Sequence, residues 1–216
     1  MEARTITRPF DLALIVGRMQ SFHIGHEHLV NTALSVADRV LILLGSSQEY
    51  GTIKNPYSVI TRQNMIKSVF PGDEVMVSAL SDIDGSTVNN EWGQHVLNSV
   101  KQITRKSPDV YIYGFEPKNQ NWFKASEPLI NSTKHMTEII VAREKYPISA
   151  TFMRQFLWDD DYESWAKFTN PKLHKYYDKF RAELMQAPGL ADAVRLAKPR
   201  RPWTAGPTAH PMDVKV

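Results

Sequence analysis

Two histidines three residues apart, His23 and His26, flank Gly25 in the run Gly17-Arg18-Met19-Gln20-Ser21-Phe22-His23-Ile24-Gly25-His26. At a helix start that spacing turns both imidazoles toward one side, and a glycine lets a phosphate approach the backbone closely. The amides and dipole of a helix N-terminus attract anions. The chemistry implied is phosphate binding, with Arg18 beside it. A second run, Ile148-Ser149-Ala150-Thr151-Phe152-Met153-Arg154, offers Ser149 as a helix N-cap and Arg154 one turn further on, within reach of phosphate oxygens.

These residues need elements to position them. Leu12 to Val16 and Val40 to Leu44 are continuous apolar runs ending at Gly17 and Gly45, the pattern of parallel strands buried on both faces. Between them Leu29, Val30, Ala33, Leu34 and Ala37 recur at helical spacing, so the segment is a βαβ unit with a right-handed crossover. The alternation continues with a helix around Val59 to Val69, a strand at Glu74 to Leu80, a helix around Glu91 to Thr104, a strand at Val110 to Tyr113 ending in Gly114, and a strand through Thr137 to Val141. Residues 150 to 186 read as mostly helical. The fold class is α/β, a doubly wound, Rossmann-like parallel sheet with a helical C-terminal part. Ligands of such sheets bind beyond the carboxyl ends of the strands, so the loops at Gly17, Gly45 and Gly114 should meet in one crevice.

Composition bounds the function. The 216 residues are 42% hydrophobic and 23% charged, as in soluble globular proteins. The absence of cysteine excludes disulfides, thiolate metal sites and a cysteine nucleophile, and fits a cytoplasmic setting. No apolar run approaches the roughly 18 residues of a membrane span, and residues 1–10 lack a signal-peptide pattern. The net charge is +3. Residues 195–216 hold Arg195, Lys198, Arg200, Arg201 and Lys215 against Asp213, a charge of +4 that leaves −1 for residues 1–194. The body is not basic, and nucleic acid is not an expected partner. The expected organisation is one folded domain over residues 1–186 followed by a Pro-rich basic tail, 187–216.

On its first-loop motif the chain resembles the adenylyltransferases of NAD synthesis, HxGH nucleotidyltransferases whose signature is close to GRFQPFHxGH; Met19 stands here for the Phe and Ser21 for the Pro. The run from Ile148 to Arg154 matches the ISxTxxR pattern of the same superfamily. Gly45-Ser46-Ser47-Gln48-Glu49 with Asn55-Pro56-Tyr57 and Arg62 is similar to the GSAQ...NPF...R stretch of the archaeal-type nicotinamide mononucleotide (NMN) adenylyltransferases. Gly114-Phe115-Glu116-Pro117-Lys118 with Asn121-Trp122-Phe123 resembles a segment of the bacterial and viral proteins that fuse this enzyme to a Nudix hydrolase; no Nudix box is present in the sequence.

The resemblance implies transfer of AMP from ATP to NMN by in-line attack, giving NAD and pyrophosphate. It implies catalytic roles for His23, His26, Arg18 and Arg154, ATP or phosphate binding by Gly17, Gln20, Gly25, Arg62, Gly114, Ser149 and Thr151, and NMN binding by Ser46, Gln48, Asp82, Ile83, Asn89 and Trp92. An indole face suits a cationic pyridinium. The cofactor implied is Mg²⁺ carried by the ATP phosphates and water, with no protein metal site. The partners implied are ATP, NMN and further copies of the chain, and no membrane. Two alternatives stay open: a sister enzyme with a phosphopantetheine or phospho-alcohol acceptor, and a non-catalytic nucleotide sensor. Asp159-Asp160-Asp161 reads as solvated charge near a helix start.

Overall fold

The computed structural model describes residues 8–83, 89–114, 136–142 and 146–187, with the side chains of Asn89 and Asn90 left out. Five strands, β1 (Phe10–Gly17), β2 (Ala37–Leu44), β3 (Val75–Ala79), β4 (Val110–Gly114) and β5 (Thr137–Val141), form one parallel sheet in the order β3-β2-β1-β4-β5. The order reverses between β1 and β4, so a crevice opens where those two strands end.

Alternation along the strands builds two cores. Ala13 and Ile15 of β1, Val40, Ile42 and Leu44 of β2, and Val110 and Ile112 of β4 share one face. It is covered by α1 (Ile24–Val36), α2 (Val59–Val69) and the C-terminal helices α4 (Ala150–Trp158), α5 (Tyr162–Lys167) and α6 (Tyr177–Met185), with a 3₁₀ turn over Pro171–Tyr176. Leu12, Leu14, Leu41, Leu43, Tyr111 and Tyr113 occupy the other face, under Val96, Leu97 and Val100 of α3 (Asn89–Thr104). Burial on both faces is why β1 and β2 read as unbroken apolar runs.

The expected elements are all found, with shifted ends. Ala37, grouped above with the first helix, instead opens β2: it pairs with Phe10, and Arg39 with Leu12, which lengthens the ladder past the apolar run. Ser58 caps α2 by accepting the N–H of Thr61, and Ser149 caps α4 by accepting that of Phe152. Asp161 caps α5 through Ser164, while Asp160 meets Arg181 at 3.1 Å, so this acidic run serves helix ends and an ion pair. Among the described residues no helix is long and apolar enough to cross a membrane. The segments 115–123 and 188–216 lie outside the described residues.

Candidate active site

The loops after β1, β2 and β4 and the start of α4 enclose a cleft of about 570 Å³, within the usual range for small-ligand sites. Gly17, Arg18, Gly45, Ser46 and Gly114 all line it, so the strand ends converge as expected. The cleft straddles the sheet. Val16, Tyr111, Tyr113 and Trp92 reach it from the α3 side, and Ile15, Met19, Leu29, Tyr146 and Ile148 from the other.

On the second side His23 is the N-cap of α1. Its Nδ1 accepts the N–H of Gly25 at 3.1 Å, which assigns the ring proton to Nε2 and leaves that edge as a donor. The rings of His23 and His26 stack with centroids 3.8 Å apart. Gly25 has a further reason to lack a side chain: a Cβ there would lie 3.0 Å from Cε1 of His23. Met19 and Ser21 hold φ of 47° and 78°, a region non-glycine residues visit rarely and proline not at all. At Ser21 the loop therefore follows a path that the proline of the resembled signature excludes.

Arg154 reaches this loop from α4. Its Nη1 donates to the carbonyl of Gln20 at 3.1 Å and its Nη2 to Oγ1 of Thr151 at 3.3 Å. Burial lowers its pKa, against which Tyr57 acts, while Arg18 adds to the lowering; as an arginine it stays cationic at neutral pH. Arg18 is exposed and donates to Oδ1 of Asn55 at 3.3 Å. The first turn of α4, with Ala150 and Thr151, also faces the cleft, so two helix N-termini favour anions there.

On the α3 side stand Trp92, half-buried, and Asp82, whose Oδ1 accepts the N–H of Ser46 at 3.3 Å. Tyr113 donates to Oε1 of Glu138 at 3.0 Å, and burial together with that bond pushes its hydroxyl up to about 12. His95 contacts the carbonyl of Ser81 at 2.9 Å.

Several residues named from sequence do something else. Arg62 is wholly buried, outside the cleft lining, and its guanidinium donates to the carbonyls of Arg18, Gly45, Ser46 and Ser58. Gln20 lines the cleft, but its side-chain amide is paired with the backbone of Tyr57 in both directions, at 3.3 and 3.0 Å. Gln48, Ile83 and Ser149 are outside the lining: Gln48 accepts the N–H of Asp82, and Ser149 is occupied as a cap. Asn89 begins α3, with its side chain outside the description.

The sequence reading missed Lys54, an exposed cation in the lining, and the pair Tyr111 and Tyr113, stacked at 4.8 Å. The signals were there. Lys54 directly precedes Asn55-Pro56-Tyr57, and Val110-Tyr111-Ile112-Tyr113 alternates so that both tyrosines share a face.

A parallel sheet reversed at β1 and β4, with histidine-bearing and arginine-bearing helix starts over the reversal, defines a nucleotide-handling α/β protein. Residues 14–156 match the family described as Cytidylyltransferase-like, and the chain belongs to that family. It is 28% identical over 174 residues to the nicotinamide-nucleotide adenylyltransferase of Saccharolobus solfataricus, covering 76% of this chain and 87% of that one. It is also 28% identical over 151 residues to the nicotinamide/nicotinic acid mononucleotide adenylyltransferase of Acinetobacter baylyi, covering 69% and 77%. The bifunctional NMN adenylyltransferase/ADP ribose pyrophosphatase of Francisella tularensis superposes with a TM-score of 0.68 at 22% identity over 86% of this chain. At that identity the likeness speaks for the fold, and this chain spans 54% of that protein's length. The Francisella protein is also known in complex with AMP and a manganese ion.

Proposed function

We propose that the chain joins NMN to the AMP part of ATP, forming NAD and releasing pyrophosphate. The observation that carries this reading is the two-sided cleft: a phosphate-handling wall of His23, His26, Arg18 and Arg154 faces, across the strand ends, a wall carrying Trp92 and Asp82. A phosphate-only site has no use for the second wall. The names of the Saccharolobus and Acinetobacter relatives support the same substrates.

In this reading a 5′-phosphate oxygen of NMN attacks the α-phosphorus of ATP. The new P–O bond forms as the bond to the bridging oxygen of the β-phosphate breaks, so no protein nucleophile is needed and pyrophosphate carries the charge away. His23 and His26 stabilise charge developing on the α-phosphoryl oxygens, preorganised by the cap and the ring stack. Arg18, Arg154 and Lys54 hold the phosphates in line, where positioning is the main source of rate. The face of Trp92 receives the pyridinium.

Mg²⁺ fits as an ion that enters with ATP. Among the described residues no three His, Asp or Glu side chains gather at ligand spacing, and Asp82 is the one acidic residue of the described lining. The ion would neutralise charge on the triphosphate, and the manganese ion found with AMP in the Francisella complex supports the use of a divalent metal. A homo-oligomer belongs to the same reading, supported by the exposed Tyr50, Ile53 and Ile60 around the β2–α2 connection, and mass in solution checks it.

The test supplies ATP and Mg²⁺ with NMN, nicotinic acid mononucleotide, phosphopantetheine or a phospho-alcohol, and CTP in place of ATP. Dinucleotide and pyrophosphate from the pyridine nucleotides are expected. Turnover confined to another acceptor would assign a sister activity, and tight binding without turnover would make the chain a sensor.

A further inference from the structure

The buried guanidinium of Arg62 has no carboxylate in hydrogen-bond contact among the described residues. Its hydrogen bonds go to carbonyls: Nη1 donates to Arg18 at 2.8 Å and Gly45 at 2.9 Å, Nη2 to Ser46 at 3.2 Å, and Nε to Ser58 at 3.4 Å. Burial lowers the pKa of Arg62 and the neighbouring Arg18 adds to the lowering, while the charge of Asp82 acts against both. Burying a charge without a hydrogen-bonded carboxylate is costly, so an arrangement that does it calls for a reason.

The C=O and N–H of a trans peptide point opposite ways. Drawing the carbonyls of Arg18, Gly45 and Ser46 onto one guanidinium therefore turns the N–H groups of Met19, Ser46 and Ser47 away from it. Two of these have acceptors: Ser46 donates to Oδ1 of Asp82 at 3.3 Å, and Ser47 to the carbonyl of Leu80 at 3.2 Å. The N–H of Met19, a cleft-lining residue, has none among the described residues. The residues in the left-handed region nearest this clamp are Met19 and Ser46, at φ of 47° and 48°. Such conformations persist when surrounding bonds over-determine them.

We infer that Arg62 is a positioning residue that sets both walls of the cleft at once: through Arg18 it aims the Met19 N–H at the reacting phosphates, and through Gly45 it aims the Ser46 N–H that holds Asp82 beside the pyridine. The inference rests on the proposed adenylyl transfer. It makes one buried side chain, 44 residues from the first loop in sequence, the link between phosphate positioning and pyridine binding.

Arg62→Lys keeps the charge and loses the fork that spans three carbonyls. The expected result is a folded protein whose kcat/KM for NMN falls by about 100-fold, the scale of a misplacement near 1 Å. Asp82→Ala separates this from a general loss of stability: in the wild type it should raise KM for NMN about tenfold, and in the Arg62→Lys background by less than about twofold, because the clamp that holds Asp82 is already gone. Activity of Arg62→Lys within about twofold of wild type, or the same Asp82→Ala effect in both backgrounds, overturns the role. If Arg62→Lys does not fold, amide exchange on the wild type decides. Met19 should exchange freely and slow by about tenfold or more with NAD bound, while Ser46 and Ser47 are slow throughout; Met19 exchange indifferent to NAD overturns the role. No NAD from the wild type overturns both this inference and the proposed function, whereas wild-type turnover with an indifferent Arg62 overturns the inference alone.

Discussion

The ring of His23 accepts the backbone N–H of Gly25 through Nδ1 at 3.1 Å, and it packs tightly against the position a Cβ on Gly25 would take. Gly25→Ala would bring a Cβ to 3.0 Å from Cε1 and 3.1 Å from Nδ1 of His23, with Ile148 closing the far side at 3.8 Å. The ring would have to give by a few tenths of an ångström, and the stack with His26 resists that shift. We expect kcat to fall by roughly 10- to 100-fold with far-UV circular dichroism unchanged. His26→Ala, which removes outright a group proposed to stabilise charge, should cost roughly 10²- to 10³-fold. Normal turnover in both variants would take this pair out of the mechanism.

Ser21 is buried at a φ of 78°, whereas proline is fixed near −65°. Restoring the proline of the resembled signature should therefore destabilise this chain. A strained backbone position costs about 1–3 kcal/mol, and at about 2–4 °C per kcal/mol for a protein of this size the melting temperature should fall by roughly 2–12 °C. Ser21→Gly, unhindered at positive φ, should stay near wild type. A Ser21→Pro protein as stable as wild type would show that the loop takes the other path.

Arg154 divides its guanidinium between the carbonyl of Gln20 and the hydroxyl of Thr151 while standing at the cleft wall. An ammonium carries the same charge without that planar geometry, so Arg154→Lys should lower kcat more than it raises KM for NMN. Steady-state kinetics with each substrate varied in turn will tell. Unchanged parameters would reduce the run from Ile148 to Arg154 to an ordinary capped helix.

Trp92 lies on the wall opposite the histidines, its ring 5.8 Å from that of His95. Stacking on a pyridinium contributes about 0.5–2 kcal/mol, so Trp92→Ala should weaken NMN by roughly 2- to 30-fold and ATP much less. Calorimetric titration with each ligand separates the two. Equal weakening of both would mean that the indole packs the α3 side of the core instead.

What could be read from the chain depended on how local its cause was. Helix α2 is legible end to end because its apolar residues recur within it, and the loop from Gly17 to His26 is legible because a strand, a turn and a helix follow in one continuous stretch. Arg62 and Gln20 are legible as polar residues near a motif, but the backbone groups they meet are not. Their partners lie 44 and 37 residues away in sequence, and nothing in a guanidinium or an amide says whether it will meet a ligand or a carbonyl. The start of β2 was misjudged for the same reason, since Ala37 follows helical spacing and is made a strand residue by its pairing with Phe10.

The last prediction concerns the C-terminal boundary, which we place after the helical part, with residues 187–216 as a separate tail. Helix α6 is tied to the site scaffold: the carboxylate of Glu183 accepts the N–H of Ser58 at 3.0 Å and the hydroxyl of Thr61 at 2.8 Å, fixing the start of the helix that carries Arg62. Hydrogen bonds to a charged group contribute about 1.5–3 kcal/mol, so Glu183→Ala should lower the melting temperature by roughly 3–12 °C. Deleting residues 195–216 should change neither that temperature nor kcat/KM appreciably, although it removes a charge of +4, because each phosphate-handling residue of the cleft lies between Gly17 and Arg154. The two proteins are to be compared by thermal denaturation, kinetics and molecular mass at matched concentration. If the truncated chain keeps its mass and loses turnover, the tail reaches the cleft and the boundary is wrong; if its mass falls, the tail holds subunits together.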